Sequence, residues 1–155
     1  MSFIDSIPLL LATIISVQLS LIDIKELRIP NRILLPGTLI SALAIFAIGL
    51  LTGQIARSFL AFLSGVLSVI VFFCIHLLRP SGLGMGDVKF AGLIGMTLAW
   101  ISFPTGLIGL GLAFNFSSLF SLIVFVAKRK SFQRVIPFAP FMLLGLLFVE
   151  FGLLI

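Results

Sequence analysis

The chain carries five Asp and Glu residues, and two of them, Asp23 and Asp87, stand where an apolar run meets a polar one. Carboxylates at such edges are costly to keep and usually mark chemistry or ion handling. Two carboxylates brought into contact cannot both ionise easily, so they share a proton. The ionised member can then activate a water while the protonated member polarises a carbonyl, as in an aspartic protease. Such a pair titrates as a unit rather than as two independent acids. Each residue also has a purely structural role open to it. Asp87 can cap a helix, and Asp23 can pair with Lys25 or Arg28 at an interface. The other chemistry-bearing residues offer less. Cys74 is the only cysteine, which excludes an internal disulfide or a Cys-pair zinc site. His76 is the only histidine and reads as an interfacial residue rather than a ligand. No metal and no cofactor is expected.

Composition decides what positions these residues. Of 155 residues 61% are hydrophobic and only 10% are charged, with a mean hydropathy of +1.35. A soluble domain carries about 25% charged residues and at this size leaves about 30% of its unfolded surface exposed. Disorder requires low hydrophobicity. The class that remains is an all-α polytopic integral membrane protein, a single membrane-embedded domain over residues 1–155. A helix needs about 20 apolar residues to cross a bilayer. Six such runs are expected, at about Ile4–Ile22, Ile33–Leu51, Ser58–Leu78, Asp87–Phe103, Gly106–Ala127 and Val135–Ile155. The fourth is short, and a tight turn at Phe103-Pro104-Thr105 joins it to the fifth. The N-terminal MSFID lacks the basic region of a signal peptide.

The net charge of +5 could suggest nucleic acid, but the basic residues sit in short gaps between apolar runs. That placement reads as topology, and no nucleic-acid partner is expected. Lys25, Arg28 and Arg32 lie in loop one, Arg79 and Lys89 around loop three, and Lys128, Arg129, Lys130 and Arg134 in loop five; Arg57 alone lies elsewhere. Cytoplasmic loops collect Lys and Arg, so these loops should face the cytoplasm and both termini the outside. Asp5 and Glu150 then fall near the outer ends, Glu150 as a residue that snorkels to the interface. Asp23 ends span one and Asp87 begins span four, so both lie at the cytoplasmic face. Ser20, Ser16 and Ala12 continue back from Asp23 at helical spacing, and Ala91, Gly95 and Ala99 continue forward from Asp87. Small ridges let membrane helices approach closely, and packing these two together would bring the carboxylates into contact. The helix dipole favours an anion at an N-terminus, which casts Asp87 as the initial base and Asp23 as its protonated partner.

Several neighbours could shape a site. Gly82, Gly84 and Gly86 alternate before Asp87, and glycine permits unusual backbone angles and the close approach of another chain. Pro30 forces Ile29 out of helix, and Asn31 can cap span two. Lys89 is two residues from Asp87 and does not share its helix face; it serves as a topology charge, a substrate-orienting group or a tuner of Asp87. Pro137 and Pro140 break helix near the start of span six, which a membrane tolerates where backbone lines a cavity. Asn115, Ser118 and Ser121 read as interhelical hydrogen-bonding residues.

The local sequences around the aspartates resemble those of a known family. Asp23 through Ile29-Pro30-Asn31 is similar to the D-x5-6-I-P-N signature of type IV prepilin peptidases. Gly84-Met85-Gly86-Asp87-Val88-Lys89 is similar to their G-x-G-D-x-K motif, shared in part with other intramembrane aspartyl proteases. Ile136-Pro137-Phe138-Ala139-Pro140-Phe141 resembles the late P-F-G-P-F stretch, with Ala139 where Gly is usual. The three occur in family order.

The resemblance implies an intramembrane aspartyl endopeptidase of the cell (inner) membrane. It would remove the short basic leader of type IV prepilins or pseudopilins at the cytoplasmic face, with Asp23 and Asp87 as the catalytic pair. It also implies the short form associated with Flp-like pili, without the cysteine-paired methyltransferase region, so N-methylation is not expected. Gly84, Gly86, Lys89, Pro30, Asn31, Pro137 and Pro140 would shape the loops or bind substrate. Two other readings compete. One is a small proton- or cation-coupled transporter subunit, in which the aspartates relay protons. The other is a non-catalytic pilus-assembly protein that keeps the same fold.

Overall fold

The computed structural model describes residues 3–78, 83–127 and 137–152, with the side chains of Phe3 and of 121–127 excepted. A 3-10 turn at Phe3–Ser6 leads into α1 (Ile7–Glu26). The remaining helices are α2 (Asn31–Leu51), α3 (Ile55–Leu78), α4 (Met85–Ala99), α5 (Phe103–Ala127) and α6 (Ala139–Gly152). The protein is thus a polytopic all-α membrane protein, and no strand occurs among the described residues. Four segments are long and apolar enough to cross a bilayer: Ile4–Glu26, Asn31–Leu51, Ile55–Leu78 and Phe103–Phe120. Large apolar side chains cover their outer faces, among them Leu10, Leu43, Phe59 and Phe62, as helices facing lipid require.

α4 is different. Its 15 residues extend about 22 Å, short of a bilayer core of about 30 Å. It touches all five other helices, and every residue from Phe90 to Ala99 is buried. Its small residues meet α3. A Cβ on Gly92 would lie 2.7 Å from Val69 Cγ2, one on Gly65 would lie 3.0 Å from the Gly92 carbonyl, and Gly95 abuts Ser68 and Ser64. The Gly95 ridge expected to seat α1 therefore seats α3, whose Ser64, Gly65 and Ser68 form a matching small face. α1 packs mainly on α6 and α2 and meets α4 less extensively.

The turn between α4 and α5 falls at Trp100–Ser102 rather than at Phe103-Pro104-Thr105. Pro104 has no N–H to lose and its φ suits a first helical turn. The Ser102 carbonyl accepts the Thr105 N–H at 3.1 Å. α5 and α6 cross where Gly145 lies against the Gly109 carbonyl, leaving no room for a side chain.

Candidate active site

α1 runs past Asp23 to Glu26. Leu27 adopts a left-handed conformation (φ 53, ψ 37), and its N–H closes on the Asp23 carbonyl at 2.9 Å. A left-handed residue is a common helix stop, though glycine is the usual occupant. The chain then turns through Ile29 to Pro30, whose extended backbone (φ −74, ψ 123) makes it the N-cap of α2. Asn31 was expected to cap. It is instead the first helical residue, and the Ile33 and Leu34 N–H groups close on the Pro30 carbonyl. The Asn31 side chain is free to act elsewhere and accepts a hydrogen bond from Lys89 Nζ at 3.1 Å. Lys89 thereby ties the start of α4 to the start of α2.

α4 begins with Gly84 as N-cap, and the Gly84 N–H donates to Asp87 Oδ2 at 3.0 Å. This is the carboxylate half of a capping box, so the structural role open to Asp87 is realised. Neither Gly84 nor Gly86 has a positive φ. Unusual backbone angles do not explain these glycines; close approach does. A Cβ on Gly86 would stand 2.8 Å from Ile29 Cβ, and one on Gly84 would stand 3.2 Å from Asp87 Oδ2. The Gly-Met-Gly-Asp turn therefore lies directly on the Ile-Pro-Asn loop. Gly82 lies outside the described residues, as do Arg79, Lys128, Arg129, Lys130 and Arg134.

Asp23 is buried at 5% exposure while Asp87 is half-buried, and the two carboxylates are within electrostatic reach of each other. The third motif completes the arrangement. Pro137 precedes α6, and Pro140 stands in its first turn, where proline is tolerated. The Ala139 N–H, one of the donors that a helix N-terminus leaves unpaired, donates to Asp23 Oδ2 at 3.0 Å. Behind it, Phe138 packs with Phe114 and Phe72, ring centroids 5.2 and 6.3 Å away. Both aspartates thus meet a helix N-terminus, that of α6 for Asp23 and that of α4 for Asp87, and helix ends alone do not distinguish a base from its protonated partner.

One observation outside the geometry assigns the family: the profile of the type IV leader peptidase family matches residues 10–128. The chain belongs to the type IV leader peptidase family. Neither the comparison with curated proteins nor that with solved structures gives a match. Family membership makes this multi-pass membrane protein a peptidase directed at type IV prepilins. The matched stretch contains both aspartates, the Ile-Pro-Asn loop and the Gly-Met-Gly-Asp turn, and ends before the Pro-Phe-Ala-Pro segment that reaches Asp23.

Two positions already named from sequence, Ala139 as a departure within the third leader-peptidase motif and His76 as an interfacial residue, make contacts that their residue types did not disclose. Ala139 matters through its backbone N–H, which no residue type announces. His76 Nδ1 lies 2.7 Å from the Leu83 carbonyl. A carbonyl only accepts, so Nδ1 carries the proton and pins the residue preceding Gly84 to the end of α3. Asn115 bonds the Gly111 carbonyl of its own helix at 2.8 Å, not a neighbouring helix, and the Ser121 side chain lies outside the described ones. Glu150 does not snorkel: both its oxygens lie within 3.0 Å of Thr13 Oγ1 on α1. Among the described residues no three His, Cys, Asp or Glu side chains gather as a metal set.

Proposed function

We propose that the chain is an aspartic endopeptidase of the inner membrane that removes the short basic leader of Flp-like prepilins, with Asp23 and Asp87 as the water-activating pair. The observation that carries this reading is the meeting of two motifs distant in sequence. The Ile-Pro-Asn loop and the Gly-Met-Gly-Asp turn touch at Ile29 and Gly86, and their aspartates come within electrostatic reach. One carboxylate takes a proton from the attacking water while the other, protonated, donates to the scissile carbonyl. The proton then passes to the leaving amine. The Gly84 and Ala139 N–H groups each hold one oxygen of their aspartate, which orients the remaining oxygens for water and substrate.

The single domain spans residues 1–155, both termini face outward, and the site faces the cytoplasm. The charge distribution supports this orientation: Lys25, Arg28, Arg32 and Lys89 stand at the aspartate end, as cytoplasmic basic residues should. Substrate would enter with its apolar helix in the bilayer and its leader in the cytoplasm. Gly84, Gly86, Pro30, Asn31, Lys89, Pro137 and Pro140 shape the surroundings of the cut. Co-expression with a candidate Flp-like prepilin, followed by the mass of the pilin N-terminus, tests the reading. Removal of the leader is the expected result. Intact prepilins across several candidates, together with proton or cation flux in proteoliposomes, would favour the transporter instead.

A further inference from the structure

The end of the bundle opposite the aspartates holds a compact polar knot. The Arg57 guanidinium, at the start of α3, lies over the Trp100 ring, 4.3 Å from its centroid. Its Nε donates to the Trp100 carbonyl, and its terminal nitrogen stands 3.7 Å from Asp5 Oδ1. Trp100 closes the circuit by donating Nε1–H to the Asp5 carbonyl at 3.1 Å. Trp100 is fully buried and Asp5 is 7% exposed. Arginine suits this place: one planar group stacks on an aromatic face and donates along its edge at once, which a lysine cannot do.

The three elements joined are the turn before α1, the start of α3 and the residue after α4. α1 carries Asp23 near its far end, and α4 carries Asp87 near its far end. α1 and α4 share only a limited direct interface, so their relative tilt is not fixed by packing on one another. We infer that Arg57 is a positioning residue for the aspartate pair: by clipping Asp5 to Trp100 it sets the angle between the two helices whose opposite ends carry Asp23 and Asp87. The lever is long. α1 has 20 residues and α4 has 15, or about 30 and 22 Å. A tilt of about 5° at the clip moves the far ends by roughly 2 Å, and a displacement of about 1 Å at a reacting centre can cost 100-fold in rate.

The inference rests on the proposed peptidase reading for its activity arm, so the primary test is a distance. Ile24→Cys and Met85→Cys place spin labels at the aspartate ends of α1 and α4, both at exposed positions, in a Cys74→Ser background. Dipolar EPR is recorded on the full chain in lipid nanodiscs, with Arg57, Arg57→Lys and Arg57→Gln. The expected result is a narrow distribution for Arg57, shifted or broadened by about 2 Å in Arg57→Gln and by less in Arg57→Lys. Asp5→Asn, which keeps the backbone carbonyl that Trp100 uses, serves should Arg57→Gln not insert, and should broaden the distribution less. In parallel, Arg57→Gln lacking the spin labels should lower kcat for leader cleavage at least tenfold with KM within twofold. An unchanged distance distribution overturns the inference whatever the activity. A prepilin left uncut by the parent chain counts against the peptidase reading alone, because the distances are read without substrate.

Discussion

Gly86→Ala isolates the contact between the two aspartate-bearing loops. Gly86 is the second residue of α4, so on helix propensity alone Ala should stabilise the chain by up to about 1 kcal/mol. The structure predicts the reverse. The new Cβ would stand 2.8 Å from Ile29 Cβ and 3.5 Å from both Ile29 Cγ1 and its backbone N. Carbon–carbon contacts settle at about 3.5–4.0 Å, so loop one and the Gly turn must separate by roughly 1 Å. Overpacking of this kind costs about 1–3 kcal/mol, and the resulting displacement between Asp23 and Asp87 should lower cleavage on the order of 10- to 100-fold. Because the clash is with Ile29 Cβ, Ile29→Gly should rescue Gly86→Ala and Ile29→Ala should not. The assay is the rate of leader removal by mass spectrometry, alongside thermal unfolding in nanodiscs. Full activity of Gly86→Ala, or equal rescue by Ile29→Ala and Ile29→Gly, would refute the steric argument.

Two further outcomes follow from contacts away from the aspartates. Thr13→Val leaves the Glu150 carboxyl without its α1 partner and should lower unfolding stability by about 1–3 kcal/mol, whereas Thr13→Ser should leave it near the parent value; equal stabilities would show the pair to be idle. Leu27 is exposed and left-handed, so Leu27→Gly should lie within about 1 kcal/mol of the parent, while Leu27→Val should destabilise by at least about 1 kcal/mol because β-branched residues tolerate positive φ poorly.

The class of the fold and the positions of the two aspartates were legible because both are local signals. Long apolar runs interrupted by short basic gaps define helices in a bilayer whatever they pack against, and the Ile-Pro-Asn and Gly-Met-Gly residues stand close in sequence to Asp23 and Asp87 respectively. Partner choice is not local. Gly95 and Ser20 both lie on small ridges, yet nothing in either helix says that Gly95 would seat on Ser64 and Ser68 of α3. Either Pro30 or Asn31 could cap α2 from sequence; Pro30 does, and the Asn31 side chain instead accepts from Lys89, far along the chain. Ala139 contributes a backbone N–H and therefore leaves no trace in its side chain. Arg57, a lone charge in a short gap, reads as topology until Trp100 and Asp5 are seen around it.

The proposed catalytic pair requires Asp23 and Asp87 to act as carboxylates, beyond capping and anchoring helices. Asn separates these roles, because its carbonyl oxygen can still accept the N–H of Ala139 or Gly84 that each aspartate accepts. Leader cleavage should therefore be measured for Asp23→Asn and Asp87→Asn, each shown to be inserted with near-parent thermal stability. Loss of cleavage by at least about 1,000-fold in both, with the fold retained, is the predicted result, given that each general acid or base alone contributes about 100- to 10,000-fold. Near-parent cleavage by either variant would rule out the aspartate pair.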